Sequence, residues 1–197
     1  MWERAERFLL KDKYISPLIK KWGHCTIKPS KKKDYFINLV DAICSQQLSG
    51  KAASTIFNRV RIGLGNEVSP ISILKTKDEK LRSCGLSWAK IKYTKDLSQK
   101  VKSGGVKIRK LDKLPDEEVI KELVGVKGIG RWTSEMFLMF SLARPDVFPV
   151  DDLGIRNGMK KLLKKELKAD KLAKFSLRWK PFRTVASWYI WRSLENN

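Results

Sequence analysis

The segment that most constrains this chain is Val124–Gly130, where three glycines fall within six residues between two helical patterns. Glycine reaches positive φ without steric cost and lets other backbone approach closely, so the segment predicts a tight turn with outward-facing amides. The helix after the turn begins with unpaired N–H groups and the positive end of its dipole. We therefore predict a helical hairpin at about residues 114–143 that binds a phosphate. An ordinary turn between two helices is the alternative.

Two adjacent carboxylates, Asp151 and Asp152, follow the second helix of this hairpin. They come directly after Pro149-Val150 and open a second glycine-containing segment, residues 153–158. A phosphate-binding turn, one helix and then an acid within reach is an arrangement suited to chemistry on a nucleic acid.

The charge of the chain favours the same class of partner. Lys and Arg number 42 against 21 Asp and Glu, which gives a net charge of +21. Such an excess indicates a polyanionic partner, with nucleic acid the first candidate and an anionic membrane the second. A solvated coat of lysines is the alternative explanation of the charge alone. Every apolar run is interrupted by charge, so no membrane-spanning segment is predicted.

Cysteine and histidine are too few for several kinds of site. Cys25, Cys44 and Cys84 are odd in number and far apart, which excludes a C-x-x-C metal pair and suits a reducing, intracellular environment. His24 is the sole histidine, so a histidine-based zinc site or a Ser-His-Asp triad has little to draw on.

Helical periodicity dominates the chain, and convincing strand alternation is missing, so the sequence predicts an all-α fold. Apolar residues recur at helical spacing from Phe36 to Ile43, halt at the polar segment Ser45–Gly50, and resume through Lys51–Arg61. The other predicted helices are residues 1–22 with a break near Pro17, a short helix opened by Ser69-Pro70, and the segments Trp88–Val101, 114–123, 131–144, Arg156–Leu167, Leu172–Trp179 and Pro181–Leu194.

Six motifs, in this order, give the chain a specific resemblance. They are Ser45-Gln46-Gln47-Leu48-Ser49, Gly85-Leu86-Ser87 followed by Lys90, Gly128-Ile129-Gly130-Arg131-Trp132-Thr133, Arg144-Pro145-Asp146, Phe148-Pro149-Val150-Asp151-Asp152 and Trp179-Lys180-Pro181-Phe182-Arg183. In these residues the chain resembles the helix-hairpin-helix DNA glycosylases, and most of all their alkylation-repair branch, 3-methyladenine DNA glycosylase II. The resemblance implies one all-α domain, residues 1–197, built as two helical lobes with a cleft between them. The N- and C-terminal helices would form one lobe.

The resemblance also assigns roles around the acid pair. The catalytic aspartate falls on Asp152; Asp151 is the nearest rival, with helix N-capping as its alternative role. Bifunctional relatives carry a Schiff-base lysine where this chain has Trp132, so we expect a monofunctional enzyme without lyase activity. No cysteine follows Cys84, so we expect no iron–sulfur cluster.

The resemblance implies further site residues. The base pocket is expected at Trp132, Met136, Leu153 and Trp191, with Trp191 as the stacking platform and core packing as the alternative for both tryptophans. The intercalating segment is expected at Gln46, Gln47 and Leu48, with a simple helix kink as its alternative. DNA contacts are expected from Gly125, Lys127, Gly128, Gly130, Arg131 and Thr133, and a structural Na⁺ or K⁺ at the backbone of Val124, Val126 and Ile129.

These residue types suit hydrolysis of an N-glycosidic bond. Its cleavage builds positive charge on the sugar, which a carboxylate stabilises, and a purine methylated at N3 or N7 is already cationic and stacks well on indole. We expect a monomer that acts inside the cell on alkylated purines in duplex DNA. A glycosylase for hypoxanthine, etheno or oxidised bases, a non-catalytic hairpin DNA-binding module, and an anionic-membrane protein are the alternatives.

Overall fold

Helices form most of the chain in the computed structural model, which describes residues 1–195. No strand occurs among these residues, so the all-α prediction is confirmed. The α-helices are α1 Glu3–Leu9, α2 Ser16–Trp22, α3 Tyr35–Ser45, α4 Gly50–Gly63, α5 Pro70–Lys75, α6 Asp78–Ser83, α7 Trp88–Ser103, α8 Asp116–Val124, α9 Arg131–Met136, α10 Leu153–Leu163, α11 Ala169–Ser176 and α12 Arg183–Arg192. Shorter turns are the 3₁₀ segments Lys32–Asp34, Ile108–Lys113 and Leu177–Trp179 and the π-helical turn Phe137–Ser141.

Side-chain caps place several of these helix starts where the sequence predicts them. Ser69 and Ser72 form a reciprocal capping box ahead of Pro70, and the Ser87 hydroxyl accepts the Lys90 amide at the start of α7. Pro17 lies in the first turn of α2, where a missing N–H removes no helical hydrogen bond. The predicted break near Pro17 therefore comes before it, between α1 and α2.

Several predicted helices differ from the structure in their bounds, as α11 does by beginning at Ala169 rather than Leu172, and two of the differences have identifiable local causes. The segment after the hairpin is α-helical only to Met136; the π-helical turn Phe137–Ser141 follows, a change that apolar spacing alone does not reveal. Helix α10 begins at Leu153 rather than Arg156, because the Asp152 side chain caps it, and it ends at Leu163, before the C-cap residue Lys164, which has a φ of 51°.

The chain divides into two compact units. The central unit is Ser30–Phe137, and the terminal unit joins Met1–Pro29 to the segment from Leu138 onward. In the central unit, α7 packs against α3 and α5, α3 packs against α4, and α8 packs against α9. Its buried residues include Leu39, Ile43, Leu97, Leu111, Val119, Leu123, Val126 and Ile129.

The terminal unit is built around α12, which packs against α1, α2 and α10. Trp179 and Tyr189 are fully buried in its core. Gly158 lets α10 approach α12 closely, because a Cβ at this position would lie 2.5 Å from the Ile190 side chain and 2.9 Å from its carbonyl. Within residues 1–195, none of the helices combines the length and apolar character that crossing a membrane requires.

Candidate active site

The glycine turn joins α8 to α9 in the central unit and depends on its glycines for two different reasons. Gly128 has a φ of 79°, and a Cβ there would lie 2.1 Å from the ring of Tyr93. Gly130 is extended and caps α9, with no atom within 4 Å of a Cβ position. Gly128 is therefore fixed by its conformation and by the packed aromatic ring, whereas Gly130 keeps the outer side of the turn open.

Helix α7 braces this turn with a pair of opposite charges. The Asp96 carboxylate accepts the backbone amide of Lys127 at 2.9 Å and the Lys100 ammonium at 2.9 Å, and Lys100 also donates to the Gly125 carbonyl. Burial alone would raise the pKa of Asp96, but these hydrogen bonds outweigh it and lower the pKa. Because its amide is occupied, Lys127 can offer DNA its exposed side chain only.

Arg131 ties the two hairpin helices together. Its guanidinium donates to Glu117 at 2.7 and 3.2 Å and to Glu135 at 3.1 Å, and it lowers the pKa of the Glu117 carboxyl. These bonds use three of the five guanidinium N–H groups, so Arg131 keeps donors for a phosphate. Thr133, the other predicted polar contact after the turn, is only 5% exposed and lines a pocket.

The carbonyls of the turn are neutral oxygen donors, which is the chemistry that a Na⁺ or K⁺ ion requires. Val126 accepts the amide of Ile129 at 3.1 Å, and the Gly128 carbonyl accepts the Gln46 side chain at 2.7 Å. Each carbonyl oxygen has two lone pairs, so Val124, Val126 and Ile129 keep the donor capacity that the predicted cation site needs.

Lys90 of α7 hydrogen-bonds to the polar break between α3 and α4. The Lys90 ammonium donates at 2.7 Å to the carbonyls of both Cys44 and Gln46, which satisfies the C-terminal end of α3. Burial lowers the pKa of Lys90. Beyond this anchor Gln47 has a φ of 57° and Leu48 is 38% exposed, so the chain turns outward at two of the three residues predicted to intercalate. The third, Gln46, is half-buried and donates to the Gly128 carbonyl.

A pocket of about 650 Å³ lies between this break and the hairpin, entirely within the central unit. It brings together seven of the predicted site residues: Gln46, Gln47, Leu48, Gly128, Trp132, Thr133 and Met136. Trp132 is 46% exposed, so core packing does not account for its position. The remaining lining residues are Ala42, Ser45, Ser87, Ala89, Lys90 and Tyr93.

Asp152 lies at the N-terminus of α10 in the terminal unit, where its carboxylate is held by two donors. Oδ1 accepts the Ile155 amide at 2.7 Å and the indole Nε1–H of Trp191 at 2.8 Å. The capping role that we attributed to Asp151 thus belongs to Asp152, because α10 begins one residue after it. Asp151 is exposed.

Trp191 packs against Phe140, with ring centroids 5.7 Å apart and ring planes tilted by 32°. Gly154 makes room for the indole, since a Cβ there would lie 2.8 Å from its Cδ1 and 2.9 Å from its Nε1. Leu153 is 70% exposed and lines a separate depression of about 190 Å³ with Arg156 and Lys160.

Three of these residues play parts that the sequence reasoning missed. Tyr93 stands three residues after Lys90, so it shares a helix face with a motif residue, and this spacing was an available signal. Phe140 follows Met136 by four residues, but the π-helical turn changes where its ring points. The role of Lys90 as an anchor for α3 had no sequence signal, since its partners are backbone carbonyls.

Comparison with known proteins gives one family over most of the chain. The family model described as the HhH-GPD superfamily of base excision DNA repair proteins matches residues 40–182. DNA-3-methyladenine glycosylase 1 of Schizosaccharomyces pombe is 41% identical over 167 residues, 82% of this chain and 73% of the relative. The DNA-3-methyladenine glycosylase of Saccharomyces cerevisiae is 33% identical, and the matched region covers 98% of this chain and 79% of the yeast protein. Among solved structures, the S. pombe 3-methyladenine DNA glycosylase Mag1 in complex with abasic DNA superposes with a TM-score of 0.85 at 38% identity, covering 96% of this chain and 95% of that one.

Proposed function

This chain belongs to the HhH-GPD superfamily of base excision DNA repair proteins, and from that membership we propose that it is a DNA glycosylase that removes alkylated purines from duplex DNA. One observation carries the proposal: the carboxylate of Asp152 accepts hydrogen bonds from Ile155 and Trp191. In the sequence this residue follows the hairpin that characterises the family. A non-catalytic DNA-binding module gains nothing from a carboxylate that repels phosphate.

The chemistry assigned to Asp152 is electrostatic. As the N-glycosidic bond breaks, positive charge develops on the deoxyribose, and a preorganised carboxylate stabilises that charge without reorganising at the moment of reaction. The same carboxylate can orient the water that adds to the sugar. A purine methylated at N3 or N7 leaves as a neutral base, so it needs no strong general acid.

Aromatic residues support a preference for cationic bases. We assign Trp132, Met136, Leu153 and Trp191 to contact with the extrahelical base. Tyr93 and Phe140 add aromatic surface beside Trp132 and Trp191 respectively. A cation over an indole gains roughly 0.5–2 kcal/mol beyond ordinary stacking, which favours 3-methyladenine and 7-methylguanine over neutral hypoxanthine.

The base must leave the duplex before this chemistry, at a cost of a few kcal/mol. We propose that Gln46, Gln47 and Leu48 fill the resulting gap, because they project from the polar break that Lys90 anchors. We propose that the hairpin contacts the DNA phosphate through six residues: Gly125, Lys127, Gly128, Gly130, Arg131 and Thr133. A Na⁺ or K⁺ ion on the carbonyls of Val124, Val126 and Ile129 would supply a further positive charge to that phosphate.

We propose a monofunctional reaction that leaves the abasic site uncut, because Trp132 stands where lyases carry their lysine and an indole cannot form an imine. We further propose that the protein works as a monomer on damaged duplex DNA inside the cell, with no iron–sulfur cluster.

The deciding experiment is to incubate the protein with methylated duplex DNA and identify the released bases by chromatography. We expect 3-methyladenine and 7-methylguanine from the wild type and neither from Asp152→Asn. Parallel duplexes carrying hypoxanthine, ethenoadenine or an oxidised guanine test the other specificities. Base release from one of these duplexes alone would show a glycosylase of that specificity instead of one for alkylated purines. If no base is released from any substrate, the chain is a non-catalytic DNA-binding module.

A further inference from the structure

The indole of Trp191 makes a hydrogen bond that a stacking platform does not need. Its Nε1–H donates to Oδ1 of Asp152 at 2.8 Å, across 39 residues of sequence. The same Oδ1 accepts the Ile155 amide at 2.7 Å. Both distances are those expected of hydrogen bonds to a charged acceptor. Two donors therefore converge on one oxygen of the carboxylate.

The surroundings of Trp191 fix the indole for this bond. Gly154, two residues after Asp152, lies against the indole, and any Cβ there would meet Cδ1 at 2.8 Å and Nε1 at 2.9 Å. Phe140 packs against the ring at a centroid distance of 5.7 Å. The indole edge that carries the N–H is thus held against Asp152, and no larger residue at position 154 leaves this arrangement unchanged.

We propose that Trp191 is a positioning residue for Asp152, which it orients through the indole N–H, and that Gly154 exists to permit that contact. This inference rests on the proposed glycosylase function. The Ile155 amide approaches Oδ1 from α10, and the indole N–H approaches the same oxygen from α12. Two donors on different helices resist rotation of the carboxylate about the Cβ–Cγ bond more strongly than one, so its orientation toward the sugar is set before charge develops.

Stacking and positioning predict different kinetics for the same residue. A ring that only stacks on the base loses most with cationic substrates and little with neutral ones. A donor that acts on Asp152 stabilises charge on the sugar, which every substrate develops. Removing the N–H should then slow all substrates by one common factor and leave the binding of DNA unchanged.

The test is a set of variants compared in single-turnover excision at saturating protein, on duplexes carrying 7-methylguanine and hypoxanthine. Trp191→Phe keeps an aromatic ring and loses the donor; replacement of Trp191 by benzothienylalanine keeps the size of the indole and exchanges only N–H for sulfur. Gly154→Ala keeps the indole and forces it and Asp152 apart, since the added Cβ would lie 2.9 Å from the indole Nε1 and 3.0 Å from Asp152 Oδ1. Trp188→Phe, three residues earlier on α12, is the matched control for loss of an indole.

We expect the three test variants to lower the excision rate roughly ten- to a hundredfold, the effect of losing one hydrogen bond to a charged group. For the benzothienylalanine variant, which keeps the stacking surface, the factor should be the same for the two bases, with the dissociation constant for abasic DNA within about twofold of wild type. An isostere that excises at the wild-type rate, or a loss confined to 7-methylguanine, would overturn the positioning role. A wild type that releases neither base would instead refute the proposed function.

Discussion

Asp152 performs two tasks, which makes the choice of substitution decisive. Its Oδ1 caps α10, and its charge is the proposed catalytic element. Asparagine is as good an N-cap as aspartate, so Asp152→Asn keeps the helix start and removes only the charge. We expect base release to fall by about a hundredfold or more, while binding to DNA stays equal or becomes tighter because a charge that repels phosphate is gone.

Single-turnover excision and a DNA titration on the same preparation measure both effects. Asp151→Asn is the matched control, since Asp151 is adjacent and exposed but does not cap α10. An active Asp152→Asn protein together with an inactive Asp151→Asn protein would transfer the catalytic role to Asp151.

Trp132 provides the second residue-scale prediction. With an indole in the place of the lyase lysine, no Schiff base to the sugar should form. Borohydride should therefore trap no covalent complex with a damaged duplex, and the abasic product should break only after alkali. Trapped complex on a denaturing gel would point to another lysine as nucleophile, with Lys90, the lysine that lines the central pocket, the first to replace.

At the scale of elements, we predict that alanine is tolerated differently at two glycines of equal φ, one in the glycine turn and one outside it. Gly128 and Gly104 both have a φ of 79°, but a Cβ at Gly104 meets no atom within 4 Å, whereas at Gly128 it meets Tyr93. Both alanine variants should lose about 1–2 kcal/mol for the left-handed conformation. Gly128→Ala should lose roughly 1–3 kcal/mol more from overpacking.

Urea unfolding and affinity for undamaged duplex measure this contrast. We expect weaker DNA binding for Gly128→Ala only, because the hairpin turn must shift to admit the methyl group. Equal unfolding free energies for the two variants would show that the Tyr93 ring moves aside.

The anchor at the end of α3 gives the other prediction at this scale. Lys90→Met removes both hydrogen bonds to the carbonyls of Cys44 and Gln46 and should lower the free energy of unfolding by about 1–3 kcal/mol. Because the intercalating segment loses its support, excision should slow more for a paired lesion than for a mismatched one, which costs less to flip. Lys92→Met, on the same helix and exposed, is the control. A uniform slowing of both lesions would contradict the link to base flipping.

The same elements show what a sequence can predict here. The break at Ser45–Gly50, the turn at Val124–Gly130 and the start of α7 at Ser87 are local, because glycine conformation, capping and apolar spacing act within a few residues. The π-helical turn and the Asp152–Trp191 bond are not: the first keeps a helical apolar pattern, and the second joins residues 39 apart. Tertiary packing decides such features, so the resemblance located Asp152 and Trp191 but not their contact.

At the scale of the whole molecule, the net charge of +21 predicts strongly salt-dependent binding. If four to six phosphates are contacted, the logarithm of the affinity for undamaged duplex should fall against the logarithm of the salt concentration with a slope of roughly −4 to −5. Fluorescence anisotropy over a range of KCl concentrations measures the slope. A nearly flat plot would mean that the charge serves something other than DNA.

The bracing of the glycine turn by residues from elsewhere in the central unit bears on protein engineering. Gln46 binds the Gly128 carbonyl, Tyr93 fills the space at Gly128, and Asp96 and Lys100 hold Lys127 and Gly125. A chimera that grafts only the hairpin onto another scaffold would leave all four supports behind. A functional graft must therefore combine segments that are separate in the sequence: the turn, α7 and the end of α3.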